Sequence, residues 1–304
     1  MAFKEHNNRV KANKFAEYIT GKVLRQYVAD KVKKYLGERS VSVFDGACGS
    51  GQLEQFIDIS KLVAVEVQQE SCEALRSNFP NAVINNQSFF LYQNNEKCEC
   101  VVMNPPFSIK LKDLSDDEQS SIKAEFNWKK SGVVDDIFTL KGLNNSSRWG
   151  FFILFPGVAY RGTEKQFRSL IGNQLVELNR IQNAFEDTQI DVLFLVIDKN
   201  KKSSTTIREL YDCKARAVLA SDEWNINPEY WENVQLPQEP EKEVDFSQLE
   251  KECQEQIKHN VITGVRASKV FTELGMLSIS EFNQFCDDIC ESVQGEKIEL
   301  QEVA

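Results

Sequence analysis

The sequence predicts an α/β fold, a doubly wound sandwich in which helices cover both faces of a mostly parallel sheet. Three observations predict it. Between about residues 10 and 200, the spacing of apolar residues alternates between helical and strand periods. The first strand-like run ends directly in a glycine-rich turn, and open α/β sheets bind ligands at such strand ends. Residues 175–181 and 190–198 are apolar runs joined by a short loop, so the sheet is expected to end in an antiparallel hairpin.

Taken in order, residues 13–36 read as a long amphipathic helix, with Phe15, Ile19, Val23, Leu24, Tyr27, Val28 and Val32 at three- and four-residue spacing. Residues 41–45 form a short apolar run, a buried strand. Residues 61–66 are a second strand, followed by a helix over 69–78. Residues 82–85 and 98–103 supply the third and fourth strands. A helix near 134–145 leads to residues 149–156, the most apolar run of the chain, and a helix over 163–173 precedes the hairpin. The sheet therefore counts seven strands. Residues 108–133 are polar and show no period, so a long loop, functional or mobile, is expected there. Pro228, Pro237 and Pro240 mark a linker, and helices with Ser/Thr caps follow near 246–260, 266–274 and 279–293. The expected division is an N-terminal helical segment (1–40), a catalytic α/β domain (41–224), a linker (225–243) and a small, acidic, helical C-terminal region (244–304).

The formal charge of −10 is unevenly placed. Residues 238–304 hold fifteen acidic and six basic groups, a net of −9, which leaves the other 237 residues at −1. Within these, residues 1–40 have ten basic and four acidic groups, an excess of +6. This distribution is compatible with a nucleic-acid partner, whereas the whole-chain figure points away from one. No stretch approaches the apolar length of a membrane helix, and residues 1–20 lack a secretory core, so no membrane partner and a cytoplasmic location are expected. Eight cysteines without a Cys-x-x-Cys pair, and His6 and His259 as the only histidines, argue against a disulfide scaffold, a structural zinc site and a His-dependent triad. No metal site is expected.

Between the first strand and a helix stand Asp45, Gly46, Ala47, Cys48, Gly49, Ser50 and Gly51. Gly49 and Gly51 let the backbone turn tightly and approach a ligand. The turn is neither a dinucleotide fingerprint, since Glu54 occupies its third glycine position, nor a phosphate loop, since no lysine follows Gly51. An acidic residue opening the turn suits a ligand with a cationic end. Glu66, at the end of the next strand, is placed to accept two ribose hydroxyls. Together they suggest a nucleoside with a charged amino-acid end, S-adenosylmethionine; the alternative is a plain tight turn with an exposed glutamate.

Asn104, Pro105, Pro106 and Phe107 follow the fourth strand directly. Two prolines end the ladder and fix φ, so the backbone is rigid there. The carbonyl of Pro105 and the side-chain carbonyl of Asn104 can then converge on an exocyclic amine, while Phe107 offers a face for a planar base. The alternative is a strand-ending turn with a buried phenylalanine.

These motifs resemble those of Rossmann-like, S-adenosylmethionine-dependent amino-methyltransferases. Downstream, Asp135-Asp136-Ile137-Phe138, then residues 150–162, Phe167-Arg168 and residues 185–188 resemble the modification (HsdM-like) subunit of type I restriction–modification systems. The resemblance spans roughly residues 14–200. It implies N6-adenine methylation of a flipped-out base in DNA, with target choice supplied by a specificity-type subunit or a homodimer. It further implies that Tyr18 and Thr20 line the methionine part of the cofactor, that residues 45–51 and Glu66 bind the rest, and that Asn104, Pro105 and Phe107 hold the adenine. Gln87 stands where the family commonly has an Asp reading the cofactor's adenine amine, and Gly46 where it usually has proline. About 40 residues precede Val41, too few for the large helical domain that usually comes first in such subunits. Methyltransferases acting on RNA adenine or protein glutamine carry similar tetrapeptides, and a non-catalytic assembly subunit with this fold is the further alternative.

Overall fold

In the computed structural model of the chain, residues 3, 20–93, 97–185, 190–231 and 246–292 are described. They divide into two units, residues 1–237 and 238–304. The first unit is built on one mixed sheet. Its helix α1 (Lys22–Leu36) buries Leu24, Tyr27, Val28 and Val32, the apolar stripe visible in the sequence. Strands β1 (Val41–Asp45), β2 (Ile59–Glu66) and β3 (Val83–Asn86) run parallel, with α2 (Gln69–Asn78) crossing between β2 and β3. On the other side of β1, β4 (Cys98–Met103) and then β5 (Ser146–Leu154) continue the parallel part. The order β3-β2-β1-β4-β5 thus changes direction at β1. The crevice beyond the carboxyl ends of β1 and β4 is the switch point at which open α/β sheets take ligands. The glycine turn leaves β1 and the Asn-Pro-Pro-Phe corner leaves β4, so both open onto this crevice.

The expected antiparallel hairpin is present as β6 (Leu175–Gln182) and β7 (Val192–Asp198), with β7 inserted between β5 and β6. All of β7 is buried, which is why it reads as a continuous apolar run. The expected count of seven strands is corrected to nine among the described residues. A second hairpin, β8 (Thr205–Asp212) and β9 (Ala217–Asn225), extends the sheet, with β8 parallel to β6. It escapes sequence reading because β9 buries none of its residues and β8 turns Thr206, Arg208 and Leu210 inward. A polar edge hairpin has the composition of a loop.

The expected loop at 108–133 is likewise corrected. It contains α3 (Asp116–Glu125), which Ser115 and Glu118 start with a reciprocal capping box. Ile122 is the only buried residue of α3, so no apolar period announces it. The remaining helices of this unit are α4 (Asp135–Asn144) and α5 (Lys165–Ile171). Two apolar clusters flank the sheet, one around Phe44, Met103, Phe138 and Phe152, the other around Leu24, Val43, Phe107 and Phe151. Neighbouring residues of β5, Phe151 and Phe152, go to opposite clusters, as strand pleating requires.

In the second unit, α6 (Phe246–Glu273) and α7 (Ile279–Ser292) pack on each other. The break expected between residues 260 and 266 is absent, and α6 continues through Gly264. No described helix is long and apolar enough to cross a membrane.

Candidate functional site

The turn after β1 is held by its own groups. Asp45 Oδ1 accepts the Ala47 N–H at 2.7 Å, and the Gly51 N–H donates to the Cys48 carbonyl at 2.9 Å. Gly51 adopts φ 79°, and a Cβ there would stand 2.6 Å from Leu75 and 2.7 Å from Phe79. Only glycine lets this turn lie against α2. Gly46 is required by space, since a Cβ would fall 2.6 Å from the Phe89 ring. That ring stacks on Phe138 at 5.5 Å, which accounts for glycine where proline is usual. At the end of β2, Glu66 Oε2 accepts the Gly49 N–H at 2.9 Å and Oε1 the Gln68 N–H at 2.7 Å. Each carboxylate oxygen has two acceptor directions, so these bonds orient Glu66 and still permit a ligand hydroxyl on each.

On the β4 side, Asn104 Nδ2 donates to Thr20 Oγ1 at 2.9 Å. Thr20 is held in turn by Arg25, whose Nε bonds the Thr20 carbonyl and whose Nη1 reaches Gln55 Oε1, both at 2.8 Å. Phe107 is buried, with Phe155 at 6.5 Å and Phe185 at 6.2 Å. Ser108 follows in a left-handed conformation, φ 62°, and its N–H donates to Asp135 Oδ1 at 3.0 Å. Asp135, at the start of α4, is fully buried, and burial pushes its carboxyl up to about 6.

These two halves border one cleft of about 560 Å³. Asp45, Ala47, Cys48, Gly49, Ser50 and Glu66 line it from the glycine-turn side, and Asn104, Pro105, Pro106 and Phe107 line it together with Thr20, to which Asn104 is bonded; Gln87, also lining it, is exposed. Gly46 and Gly51 shape the turn without lining the cleft. Tyr18 lies outside the described residues. Four carboxylates line the cleft, those of Asp45, Glu66, Asp113 and Glu118, and among the described lining residues there is no lysine, arginine or histidine. Such a site attracts a cation and repels a phosphate.

Several residues that shape the site carry no sequence signal. Glu54, three positions after Gly51, is fully buried beside Asp45 and Cys48. Burial raises the Asp45 carboxyl well above the ordinary carboxylate range, with Glu54 the next largest cause. Glu54 itself is pushed up to about 7, chiefly by burial, and burial also raises the Cys48 thiol. Glu118, on α3, borders the cleft and accepts a hydrogen bond from Ser88. Lys129, from the polar stretch 108–133, is buried against Asp136 at 2.5 Å. Arg168 is also buried, and its guanidinium binds the carbonyls of Val158, Arg161, Pro228 and Glu229, clamping the segment after β5.

No curated protein matches the sequence. Among solved structures, the type I restriction–modification methyltransferase subunit of Streptococcus thermophilus shares the fold with a TM-score of 0.54 at 17% identity, over 66% of this chain and 50% of that one. A structure of the type I restriction–modification system gives a TM-score of 0.57 at 12% identity, over 89% of this chain and 68% of that one. A Listeria monocytogenes protein described as a class I S-adenosylmethionine-dependent methyltransferase gives 0.54 at 14% identity, over 64% of this chain and 65% of that one. The chain therefore spans about half the length of the first of these relatives. The model of the N-6 DNA methylase family matches residues 74–269, starting beyond the glycine turn and taking in Asn104, Phe107 and Asp135. With well over half of its length matched, the chain belongs to the N-6 DNA methylase family.

Proposed function

We propose that this protein transfers a methyl group from S-adenosylmethionine to the N6 amine of adenine in DNA, the base being flipped out of the duplex into the cleft. One observation carries the reading: the Asn104–Phe107 corner and the carboxylates of Asp45 and Glu66 share one cleft at the switch point of the sheet, with no basic side chain among its described lining residues. The residues present fit the cofactor. Asp45 would face the ammonium of the amino-acid end, Glu66 would offer both oxygens to ribose hydroxyls, and Gln87 would present an amide to the adenine amine. A volume of about 560 Å³ is that of a small-molecule site. When bound, the cofactor supplies an electrophilic methyl group on a sulfonium.

The chain's own residues position the amine. The bond from Asn104 Nδ2 to Thr20 fixes the plane of the amide, so its carbonyl serves as acceptor for one amine N–H. The Pro105 carbonyl accepts the other. Pro105 and Pro106 hold that backbone at fixed φ, so little freedom is lost when the base docks. Two acceptors would draw the nitrogen toward sp³ character and free its lone pair for attack. The surplus proton leaves to solvent after the new bond forms, and no strong base is needed. Phe107, braced by Phe155 and Phe185, supplies an apolar face for the base. Target choice is assigned to a specificity-type subunit or a second copy of the chain, a reading supported by the type I modification subunits that share the fold.

The test is tritiated methyl transfer to DNA, RNA and protein pools, alone and with candidate partners. Label is expected at adenine N6 in DNA. Asn104→Ala is expected to lower turnover by about 10²–10³-fold, the usual loss for one preorganised polar contact, with cofactor affinity on calorimetry unchanged. Label in RNA or protein but not DNA overturns the substrate reading.

A further inference from the structure

Beneath the floor of the cleft lies an arrangement that the reaction itself does not use. Carboxylate oxygens of Asp45 and Glu54 and the Cys48 sulfur lie within 4.8 Å of one another, and all three residues are buried. Asp45 borders the cleft, whereas Glu54 stands behind it. Asp45 Oδ1 accepts the Ala47 N–H, Glu54 Oε2 takes the Cys48 thiol at 3.8 Å, and the two carboxyls also pair side chain to side chain. No other donor reaches the buried Glu54 Oε1 among the described residues. Neither forms an ion pair among the described residues. The other titratable and charged groups around them are Glu66 from the end of β2 and the Cys48 thiol of the turn, with Arg25 of α1 bonded to the neighbouring Gln55. Two carboxyl groups this close and this dry hold a proton between them up to about neutral pH, and a cation beside them favours its release.

We propose that Glu54 is a positioning residue that shares one proton with Asp45 in the unliganded protein, and that the ammonium of the cofactor's amino-acid end, placed beside the pair, displaces this proton to solvent on binding. The inference rests on the cofactor reading above and deepens it. The balance is simple: a protonated pair of charge −1 exchanges a proton for an ammonium, leaving two carboxylates beside one cation. A site tuned this way rejects neutral nucleosides, which cannot compensate the second charge, and binds the cofactor more weakly as pH falls. The direction of the titration agrees, since burial raises both carboxyls.

The experiment is calorimetric titration of the full chain with S-adenosylmethionine at pH 6 and pH 8, in buffers of different ionisation enthalpy. About one more proton is expected to be released per cofactor at pH 6 than at pH 8, with affinity about tenfold weaker at pH 6. Glu54→Gln keeps the shape and removes the shared proton; it is expected to bind cofactor with a flat pH dependence and without the extra release. The cofactor's own ammonium titrates near pH 8 and contributes equally to both proteins, so the difference between them reports Glu54. Infrared difference spectra give a second readout, the loss on binding of a protonated carboxyl band that Glu54→Gln lacks. Equal proton release by wild type and variant, or an unchanged carboxyl band, overturns the proposal while leaving the cofactor reading intact. Folded wild type that binds no cofactor at pH 8 overturns the cofactor reading itself.

Discussion

At the scale of the residue, the site is governed by where carboxylates are placed and what surrounds them. Glu66 and Asp45 border the cleft, but Glu54 behind them decides the charge state of the floor. Its folded pKa of about 7 lies above the ordinary 4.5. Its contribution to stability is therefore fully present below about pH 4.5 and is lost as pH rises through 7. Relative to wild type, Glu54→Gln is expected to gain stability between pH 5 and pH 8, by at most roughly 3 kcal/mol, in denaturant melts of the unliganded protein. A pH-independent difference between the two counts against a titrating Glu54. Asp135 acts through geometry: its Oδ1 receives the N–H of Ser108, the left-handed residue that follows Phe107. Asp135→Ala frees that corner and is expected to slow methyl transfer by about tenfold or more with cofactor affinity kept, whereas Asp135→Asn, which retains the acceptor, stays near wild type. Equal loss in both variants assigns Asp135 to bulk stability.

At the scale of the element, packing explains departures that chemistry alone leaves open. The turn after β1 cannot take a side chain at Gly46 because Phe89, from the segment after β3, fills that space and stacks on Phe138 of α4. Gly46→Ala is expected to cost about 1–3 kcal/mol through overpacking, and Phe89→Leu in the same chain to recover part of it. Thermal melts of the two single variants and the double variant measure this coupling; strict additivity contradicts the contact. Lys129, Asp135, Asp136 and Glu164 are buried close to one another behind the Asn-Pro-Pro-Phe corner, with Lys129 4.0 Å from Glu164. In the sequence, Lys129 and Lys130 are indistinguishable, yet one is enclosed and the other exposed.

At the scale of the whole molecule, the charge of −10 separates along the boundary between the two units, with −9 in residues 238–304. Among the described residues, the buried members of both apolar clusters lie between Leu24 and Trp231. A chain ended at Pro237 is therefore expected to melt within about 2–4 °C of the full protein and to bind cofactor equally well. A collapse of the melting transition in that truncation makes the second unit a structural requirement. The succession of strands along the chain through β7, the glycine turn, Glu66 and the Asn-Pro-Pro-Phe tetrapeptide are all legible in the amino-acid sequence. They rest on local rules: strand periods, glycine where backbone must turn, proline where a ladder must end. Four things were decided only by tertiary structure. The β8–β9 hairpin is polar because it forms the sheet's exposed edge. Helix α3 has a cap but no apolar stripe, since only Ile122 enters the core. Gly46 answers to a ring 43 positions away. Glu54 reads as an ordinary charged residue until folding removes its water and sets it beside Asp45. A charge becomes informative through its surroundings, and surroundings assembled from distant segments leave no local pattern.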